Sequence, residues 1–275
     1  MDDLEIQKYL FDLQGYLVIE NALSSDEVAE LNELFDAQQL PPPHESARFG
    51  SAPDGSGFLD YGKPYCDLLD HESVMPVLRF RLRHAFRLDR LYGMQQEKGM
   101  KRGHLHSDYG ASVHTSGAQP GVFHHPRMHE IVEGFVVVSW NLADTGPEHG
   151  GFCCIPGSHK SNYKIPETIK DNIDDWPQIV HPEAPAGSVI LFTEALTHGT
   201  YDWNADHHRR SLLYKYCVAH TAWKADRVDP PEGIDLTWRQ EILFRPPGDP
   251  LRYFPSLFEE PEEVGAGEGV SGGVS

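Results

Sequence analysis

The sequence has few cysteines, little positive charge and no long apolar run. Its four cysteines include no C-x-x-C motif, so neither a disulfide framework nor a cysteine-based zinc site is predicted. Acidic residues outnumber basic ones by 42 to 23, and the net charge of −19 argues against nucleic acid or an anionic membrane as a partner. No apolar stretch approaches the ~20 residues of a membrane span, and the N-terminus lacks the basic-then-apolar order of a signal peptide. We therefore expect a soluble, cytoplasmic protein that binds neither a membrane nor nucleic acid.

Turn-forming residues are abundant, and short apolar segments recur in the second half of the chain. Glycine occurs 25 times and proline 21 times in 275 residues, and long helical repeats are absent. From residue 88 onward, turn signals separate six β-like segments: RLYGMQQE, HLHSDY, GFVVVSWNL, GGFCCIP, SVILFT and RRSLLYKYCVAH. This spacing is typical of an antiparallel sandwich or barrel. The sequence thus predicts a mainly β domain of enzyme size.

The first 85 residues have a different, largely helical pattern. Ser24 or Ser25 can cap a helix, because acidic residues and apolar residues at three-residue spacing follow. A stretch rich in proline, glycine and serine predicts a long loop over 40–65. We predict a single domain over 1–260 and a disordered, glycine-rich tail over 261–275. The predicted parts of the domain are helices over 4–13 and about 73–84, a strand near 16–18, helical support over 4–85 and a β core over 88–222.

The segment RGHLHSDYG, residues 102–110, places three possible metal ligands at alternate positions. On an extended strand, His104, His106 and Asp108 would face the same side. Two histidines and one carboxylate on one face of the metal are the ligand set of ferrous oxygenases, and this set leaves the other face open. Because an H-x-D pair is common by chance, the pair alone does not establish a metal site.

Candidates for the rest of such a site lie further along the chain. His198 follows the apolar segment SVILF and would end that strand at a polar turn, at the barrel mouth where a ligand pocket is expected. Arg209 and Arg210 begin the segment RRSLLY. An arginine here could hold the carboxylate of a cosubstrate, because its guanidinium is always charged and binds carboxylates bidentately. Strand alternation does not decide which of the two arginines faces inward.

In this order, the motifs resemble those of the phytanoyl-CoA dioxygenase family, whose members are non-haem Fe(II)- and 2-oxoglutarate-dependent oxygenases. The segments that carry the resemblance are GYLVIENALSSDEVAELNELFD near the N-terminus, HSD at 106–108, Trp140, GGFCCIPGSHK at 150–160, HGT at 198–200 and RRSLLY at 209–214. They span roughly 10–220. The resemblance implies a mainly β fold with flanking helices around a double-stranded β-helix (jelly-roll, cupin-like) core.

The resemblance also implies roles for individual residues. The implied iron ligands are His106, Asp108 and His198. The implied contacts to 2-oxoglutarate are Arg209 and Thr200 at the distal carboxylate and Trp140 on the strand that lines the pocket. By position only, Gln95 or Gln96 could contact the C1 carboxylate, and Gln95 is taken as the candidate. The PGSH turn at 156–159 is implied to be structural, so His159 is not expected to bind the metal.

Other polar residues near these motifs receive less central roles. A third histidine on iron would crowd the face that O2 and 2-oxoglutarate need, so His104 is predicted to lie in the pocket wall or behind the ligands. The irregular stretch 109–128 follows the ligand pair and could form a lid or a substrate loop. Its candidate substrate contacts are Tyr109, His114 and Arg127, although ordinary surface positions account equally well for each.

These roles predict an oxygenase that uses Fe(II), O2 and 2-oxoglutarate to hydroxylate a small-molecule substrate, with release of succinate and CO2. Related halogenases lack the carboxylate ligand, so Asp108 favours hydroxylation or another oxidation, such as desaturation or ring formation. Two alternatives stay open: a cupin-like metalloenzyme that does not use 2-oxoglutarate, and a non-catalytic ligand-binding protein with the same fold. The sequence predicts neither the substrate nor the oligomeric state.

Overall fold

The computed structural model describes residues 4–53, 55–101, 103–107, 125–127, 130–132, 134–161, 163, 165–171, 173–223, 226–247 and 254–260. The predicted iron ligand Asp108, the candidate substrate contacts Tyr109 and His114, and the predicted tail 261–275 lie outside these residues. Within the described ranges, no helix combines the length and the apolar character needed to cross a membrane.

Short helices flank the sheets, and most of them precede the β core. They are α1 (Leu4–Gln14), α2 (Ser25–Ala37), α3 (Lys63–Asp67), α4 (Met75–Leu82), α5 (Glu167–Asp171) and α6 (Trp238–Leu243). Ser24 caps α2: its hydroxyl accepts from the Glu27 N–H, and the Glu27 carboxylate accepts from the Ser24 N–H at 2.7 Å. Such a cap stabilises a helix by ~1 kcal/mol. The helices predicted over 4–13 and about 73–84 and the helix start at Ser24 are confirmed, whereas α6 was not predicted.

Within the described residues, the strands form one large and two small antiparallel sheets. They are β1 (Tyr16–Ile19), β2 (Arg48–Ala52), β3 (Phe86–Gln96), β4 (His125–Arg127), β5 (Glu130–Val132), β6 (Phe135–Asn141), β7 (Gly151–Cys154), β8 (Val189–Thr193), β9 (His198–Tyr201) and β10 (Arg209–Val218). The large sheet has the order β1-β8-β6-β10-β3-β2, and β7 pairs with β9 as β4 pairs with β5. The predicted fold class, a mainly β jelly roll with flanking helices, is confirmed.

The stretch 40–65 is more ordered than the long loop predicted for it, and that prediction was wrong. It contains β2, a 3-10 turn over Gly57–Tyr61 and α3. Strand β2 forms because it pairs with β3, where Phe49 lies opposite Gly93. A Cβ added to Gly93 would lie 2.0 Å from the Phe49 ring, so the ring occupies the space that a glycine leaves. Local sequence does not reveal this pairing, because its partner lies over forty residues away.

The two faces of the six-stranded sheet pack against different layers. One face contributes Val136, Val138, Trp140, Leu212, Tyr214 and Tyr216 to the main core shared with α1–α4. The hydroxyls of Tyr214 and Tyr216 donate to the Tyr65 and Leu69 carbonyls at 2.6 and 2.7 Å. The other face contributes Val137, Ile190, Phe192 and Leu213 to a smaller cluster that includes Phe152 and Cys154 of β7. The space between the large sheet and the β7–β9 pair holds the candidate site.

Candidate metal and cosubstrate site

A cavity of about 370 Å³ opens between the large sheet and the β7–β9 pair. Its volume lies at the lower end of the range typical of small-molecule pockets. Residues from seven strands, β2, β3 and β6–β10, and from the segment 103–107 converge on it. The lining residues are Arg48, Tyr92, Met94, Gly103, His104, His106, Ser139, Phe152, Phe192, His198, Gly199, Thr200, Arg209 and Leu213.

His106 and His198 face each other across an isolated antiparallel bridge. Their backbones exchange hydrogen bonds of 2.9 and 2.8 Å, and their ring centroids lie 4.7 Å apart. His198 begins β9 rather than ending the preceding strand, so that detail of the prediction was wrong. The chain first turns through 194–197, and the polar turn therefore precedes the histidine. The two imidazoles predicted to share a metal do lie side by side.

Both imidazole rings are oriented by the main chain two residues earlier. The Nδ1 of His106 lies 2.7 Å from the His104 carbonyl oxygen, and the Nδ1 of His198 lies 2.7 Å from the Leu196 carbonyl oxygen. A carbonyl can only accept, so each Nδ1 carries a proton, and in the neutral imidazole the lone pair is then on Nε2. Metal-binding histidines characteristically donate the other ring N–H in this way. The pair thus fits a metal such as Fe(II).

The carboxylate predicted to complete the ligand set, Asp108, lies just beyond the described segment 103–107. Among the described residues, no three His, Cys, Asp or Glu side chains form a metal-binding group. The described part of the site therefore supplies two imidazoles, and the assignment of Asp108 stays a prediction.

Arg209 is buried in the same cavity, and its hydrogen-bond partners in the described part of the chain are neutral. Its Nη1 donates to the Gln96 Oε1 at 2.9 Å and to the Thr200 Oγ1 at 3.4 Å, and its Nε donates to the Ser211 Oγ at 3.2 Å. Burial lowers the pKa of Arg209 to about 10, so the side chain is a cation at neutral pH. It forms no ion pair with any carboxylate that the structure describes. A buried charge of this kind is costly without a counterion, so the site suits an anionic ligand.

Arg210 faces the opposite way. Its guanidinium donates to the Asp36 carboxylate at 2.6 Å and to the Asn32 Oδ1 at 2.8 Å, both on α2. It also lies over the Phe35 ring, with its Cζ 4.3 Å from the centroid. The structure thus decides what alternation left open, because Arg209 is the arginine in the cavity.

Two residues expected at the cosubstrate lie on the wrong side of their strands. Trp140 faces the main core, where its ring centroid is 5.2 Å from that of His71, and Ser139 lines the cavity instead. Gln95 donates to the Pro41 and Ser46 carbonyls at 3.0 and 2.8 Å, away from the cavity. The structure therefore corrects both placements. Of the two glutamines, Gln96 is the one that reaches Arg209.

The remaining predicted residues fall into three groups. Thr200 and His104 line the cavity, as expected for a cosubstrate contact and a wall residue. His159 is buried, its Nε2 donates to the Asp12 carbonyl at 3.0 Å, and burial lowers its pKa to about 4. This placement agrees with a structural role. Arg127 lies on β4, but its side chain is outside the described atoms.

Several wall residues were missed by sequence reasoning. They are Arg48, Tyr92, Met94, Ser139, Phe152, Phe192 and Leu213. Their signal is alternation: Tyr92 and Met94 share a face of β3 with Gln96, and Leu213 shares a face of β10 with Arg209. The rings of Phe192 and Phe152 lie 4.7 and 6.2 Å from the His198 ring. The two phenylalanine rings thus place His198 in an apolar environment.

The fold and the two imidazoles beside a buried arginine define a jelly-roll protein of the non-haem iron oxygenase type. The sequence profile of the phytanoyl-CoA dioxygenase (PhyH) family matches residues 11–211, and the chain belongs to this family. The resemblance seen in the motifs is thereby confirmed, and Fe(II), 2-oxoglutarate and O2 are the cofactors of its class. No curated protein sequence matches the chain.

Solved structures of similar fold are distant in sequence. HygX from Streptomyces hygroscopicus, with nickel and 2-oxoglutarate bound, is 22% identical with a TM-score of 0.66, over 80% of this chain and 89% of HygX. EctD from S. alaskensis, with 2-oxoglutarate and 5-hydroxyectoine, is 22% identical with a TM-score of 0.55, over 83% of this chain and 79% of EctD. The carbocyclase SnoK from nogalamycin biosynthesis is 16% identical with a TM-score of 0.54, over 77% of this chain and 82% of SnoK. At these identities the likeness concerns the fold.

Proposed function

We propose that this protein is an Fe(II)- and 2-oxoglutarate-dependent dioxygenase that hydroxylates a small-molecule substrate and releases succinate and CO2. The observation that carries the proposal is the cavity itself. It holds two imidazoles whose Nδ1 atoms lie against backbone carbonyls, together with a buried arginine whose partners among the described residues are all neutral. A 2-oxoacid with a second carboxylate fits such a cavity, because it can bind a metal and an arginine at once.

His106, His198 and Asp108 would hold the iron, and Arg209 with Thr200 would hold the distal carboxylate of 2-oxoglutarate. When bound, iron and 2-oxoglutarate supply the activation of O2 that an unreactive C–H bond requires. Gln96 and Ser211 fix the Arg209 guanidinium, since each accepts one of its N–H groups. Phe152, Phe192 and Leu213 form an apolar wall that would keep water from the reacting atoms.

The solved relatives support a small-molecule substrate and leave the type of oxidation to experiment. HygX has been solved with hygromycin B bound, and EctD with 5-hydroxyectoine. On the same fold, SnoK is a carbocyclase and SnoN is an epimerase. The predicted carboxylate ligand, Asp108, favours hydroxylation or another oxidation over halogenation. Of these oxidations, hydroxylation is the one that we propose.

The proposal is tested by succinate formation with Fe(II), 2-oxoglutarate, O2 and a panel of small molecules, followed by mass spectrometry of the products. A gain of one oxygen atom in a substrate, coupled to succinate, is the expected result. Metal-dependent turnover that does not need 2-oxoglutarate would instead favour a cupin-like enzyme of another class. Tight 2-oxoglutarate binding without succinate formation from any compound would favour a non-catalytic binding protein.

A further inference from the structure

Arg48 is a second cation in the cavity, and neither the metal nor the cosubstrate accounts for it. It begins β2 and lies opposite Met94 in the antiparallel register. Directly opposite residues point to the same face of a sheet, so Arg48 shares the cavity face of β3 with Met94 and Tyr92. The side chain therefore reaches the cavity from the edge of the large sheet.

The described contact of the Arg48 guanidinium is with an aromatic ring. Its Cζ lies 4.5 Å from the centroid of the Tyr92 ring. The side chain has no hydrogen bond or ion pair within the described structure. Because none of its N–H groups donates to a described residue, the guanidinium is available to a planar or tetrahedral anion.

Lys215, a neighbouring cation, differs from Arg48 because it forms an ion pair. Lys215 also lies over the Tyr92 ring, at 5.5 Å, but its Nζ is 2.6 Å from the buried Glu194 carboxylate. No aspartate or glutamate lines the cavity within the described ranges. The chain has a net charge of −19, whereas this cavity has two arginines and no described carboxylate. The charge of the cavity is therefore opposite in sign to that of the chain.

From this arrangement we infer that Arg48 binds an anionic group of the substrate, a carboxylate or a phosphate, while an apolar part of the substrate lies against Phe152 and Phe192 beside His198. The inference rests on the proposed function, in which 2-oxoglutarate occupies Arg209 and leaves Arg48 for the substrate. It narrows the substrate class to small amphiphilic anions and makes Arg48 a specificity-determining residue.

The test measures binding of three probes of equal chain length: hexanoate, hexyl phosphate and the neutral hexanamide. Isothermal titration uses full-length protein loaded with Ni(II) and saturated with 2-oxoglutarate, so that Arg209 is already occupied. One or both anions should bind at least about tenfold more tightly than hexanamide, as expected for one charge-assisted pair. The stronger of the two anions identifies the headgroup. Equal binding of all three probes, or no binding, would overturn the inference.

Three variants locate the effect. Arg48→Gln should abolish the preference for the anions, and Arg48→Lys should retain part of it because the charge is kept. Arg79→Gln is the matched control, since Arg79 is also exposed and lies 4.7 Å over an aromatic ring, that of Phe258, outside this cavity. It should change nothing. A preference for anions that survives Arg48→Gln would contradict the inference.

Measurements of 2-oxoglutarate binding distinguish a role of Arg48 in cosubstrate binding from a role in substrate binding. If Arg48→Gln weakens 2-oxoglutarate binding as much as anion binding, Arg48 serves the cosubstrate and the inference about the substrate is wrong. If wild-type protein with Ni(II) does not bind 2-oxoglutarate at all, the proposed function fails. In that case the same titrations without 2-oxoglutarate still report whether Arg48 binds anions.

Discussion

The two faces of the six-stranded sheet treat polar side chains differently. On the face toward the helices, the Tyr214 and Tyr216 hydroxyls donate to carbonyls and Arg210 pairs with Asp36. On the face toward β7–β9, the partners of Arg209 among the described residues are hydroxyl and amide groups. The first arrangement stabilises the protein by itself, whereas the second leaves a charge that a bound anion would neutralise. Adjacent residues on one strand can therefore have different roles: Arg210 contributes to stability, and Arg209 is placed to bind a ligand.

The largest effect is expected on the helix side of β6. Trp140→Ala removes a fully buried indole and should lower the free energy of unfolding by ~3–5 kcal/mol, the usual cost of such a cavity. Ser139→Ala, one residue earlier on the cavity side, should cost less than ~1 kcal/mol. Urea unfolding of both variants measures the difference. Equal costs would mean that the two faces do not differ in their contribution to stability.

The adjacent arginines should separate in cosubstrate binding. Arg209→Gln should raise the Kd for 2-oxoglutarate about 100-fold, or ~3 kcal/mol, because it removes the charge proposed to pair with the carboxylate. Arg210→Gln removes a partly exposed pair with Asp36 and should change stability by less than ~1 kcal/mol and the Kd hardly at all. Titration of 2-oxoglutarate into the Ni(II)-loaded proteins checks both. Similar Kd values for the two variants would contradict the assignment of Arg209.

His159 extends the comparison to histidines, since it is buried against α1 rather than in the cavity. Its pKa of about 4 in the folded protein lies below the ordinary 6.5, so the unfolded chain binds the proton first. The stability it contributes is complete above about pH 6.5 and is lost as the pH falls toward 4, by ~2–3 kcal/mol. His159→Gln should remove this part of the pH dependence. Unfolding of both proteins between pH 7 and 4 measures it, and parallel curves would refute the prediction.

The smallest effect is expected for the adjacent glutamines. Gln96→Leu removes an acceptor from Arg209 and should weaken 2-oxoglutarate binding about fivefold, or ~1 kcal/mol. Gln95→Leu should leave that binding unchanged but lower stability by ~1–2 kcal/mol, because two loop carbonyls lose their donor. Titration and urea unfolding of the same two variants test the pair. A larger cosubstrate defect in Gln95→Leu would restore the original placement of that residue.

Elements with local signals could be predicted from the sequence. The Ser24 capping box marks the start of α2, and continuous apolar runs mark β6 and β8. Strand β2 lacked such a signal, because the short segment RFGSA becomes a strand only through pairing with β3. Short strands of this kind are decided by partners distant in sequence, which local pattern does not contain.

More residues of the candidate site were predicted from the order and spacing of the motifs than from the alternation of side chains along strands. His106, His198, Thr200 and Arg209 meet in one cavity, as the family resemblance implied. Trp140 and Gln95 were placed one residue out of phase. On a strand buried on both sides, hydrophobicity does not show which face is which, and a one-residue error reverses the direction of the side chain.

The hydrogen bonds from the Nδ1 atoms of His106 and His198 to backbone carbonyls affect which pocket residues can be substituted. The acceptors belong to residues 104 and 196, but they are main-chain atoms, so they persist whatever side chains those positions carry. His104 also lines the cavity. The side chain at position 104 can therefore change, in evolution or in design for a new substrate. The tautomer and orientation of the His106 ring stay the same.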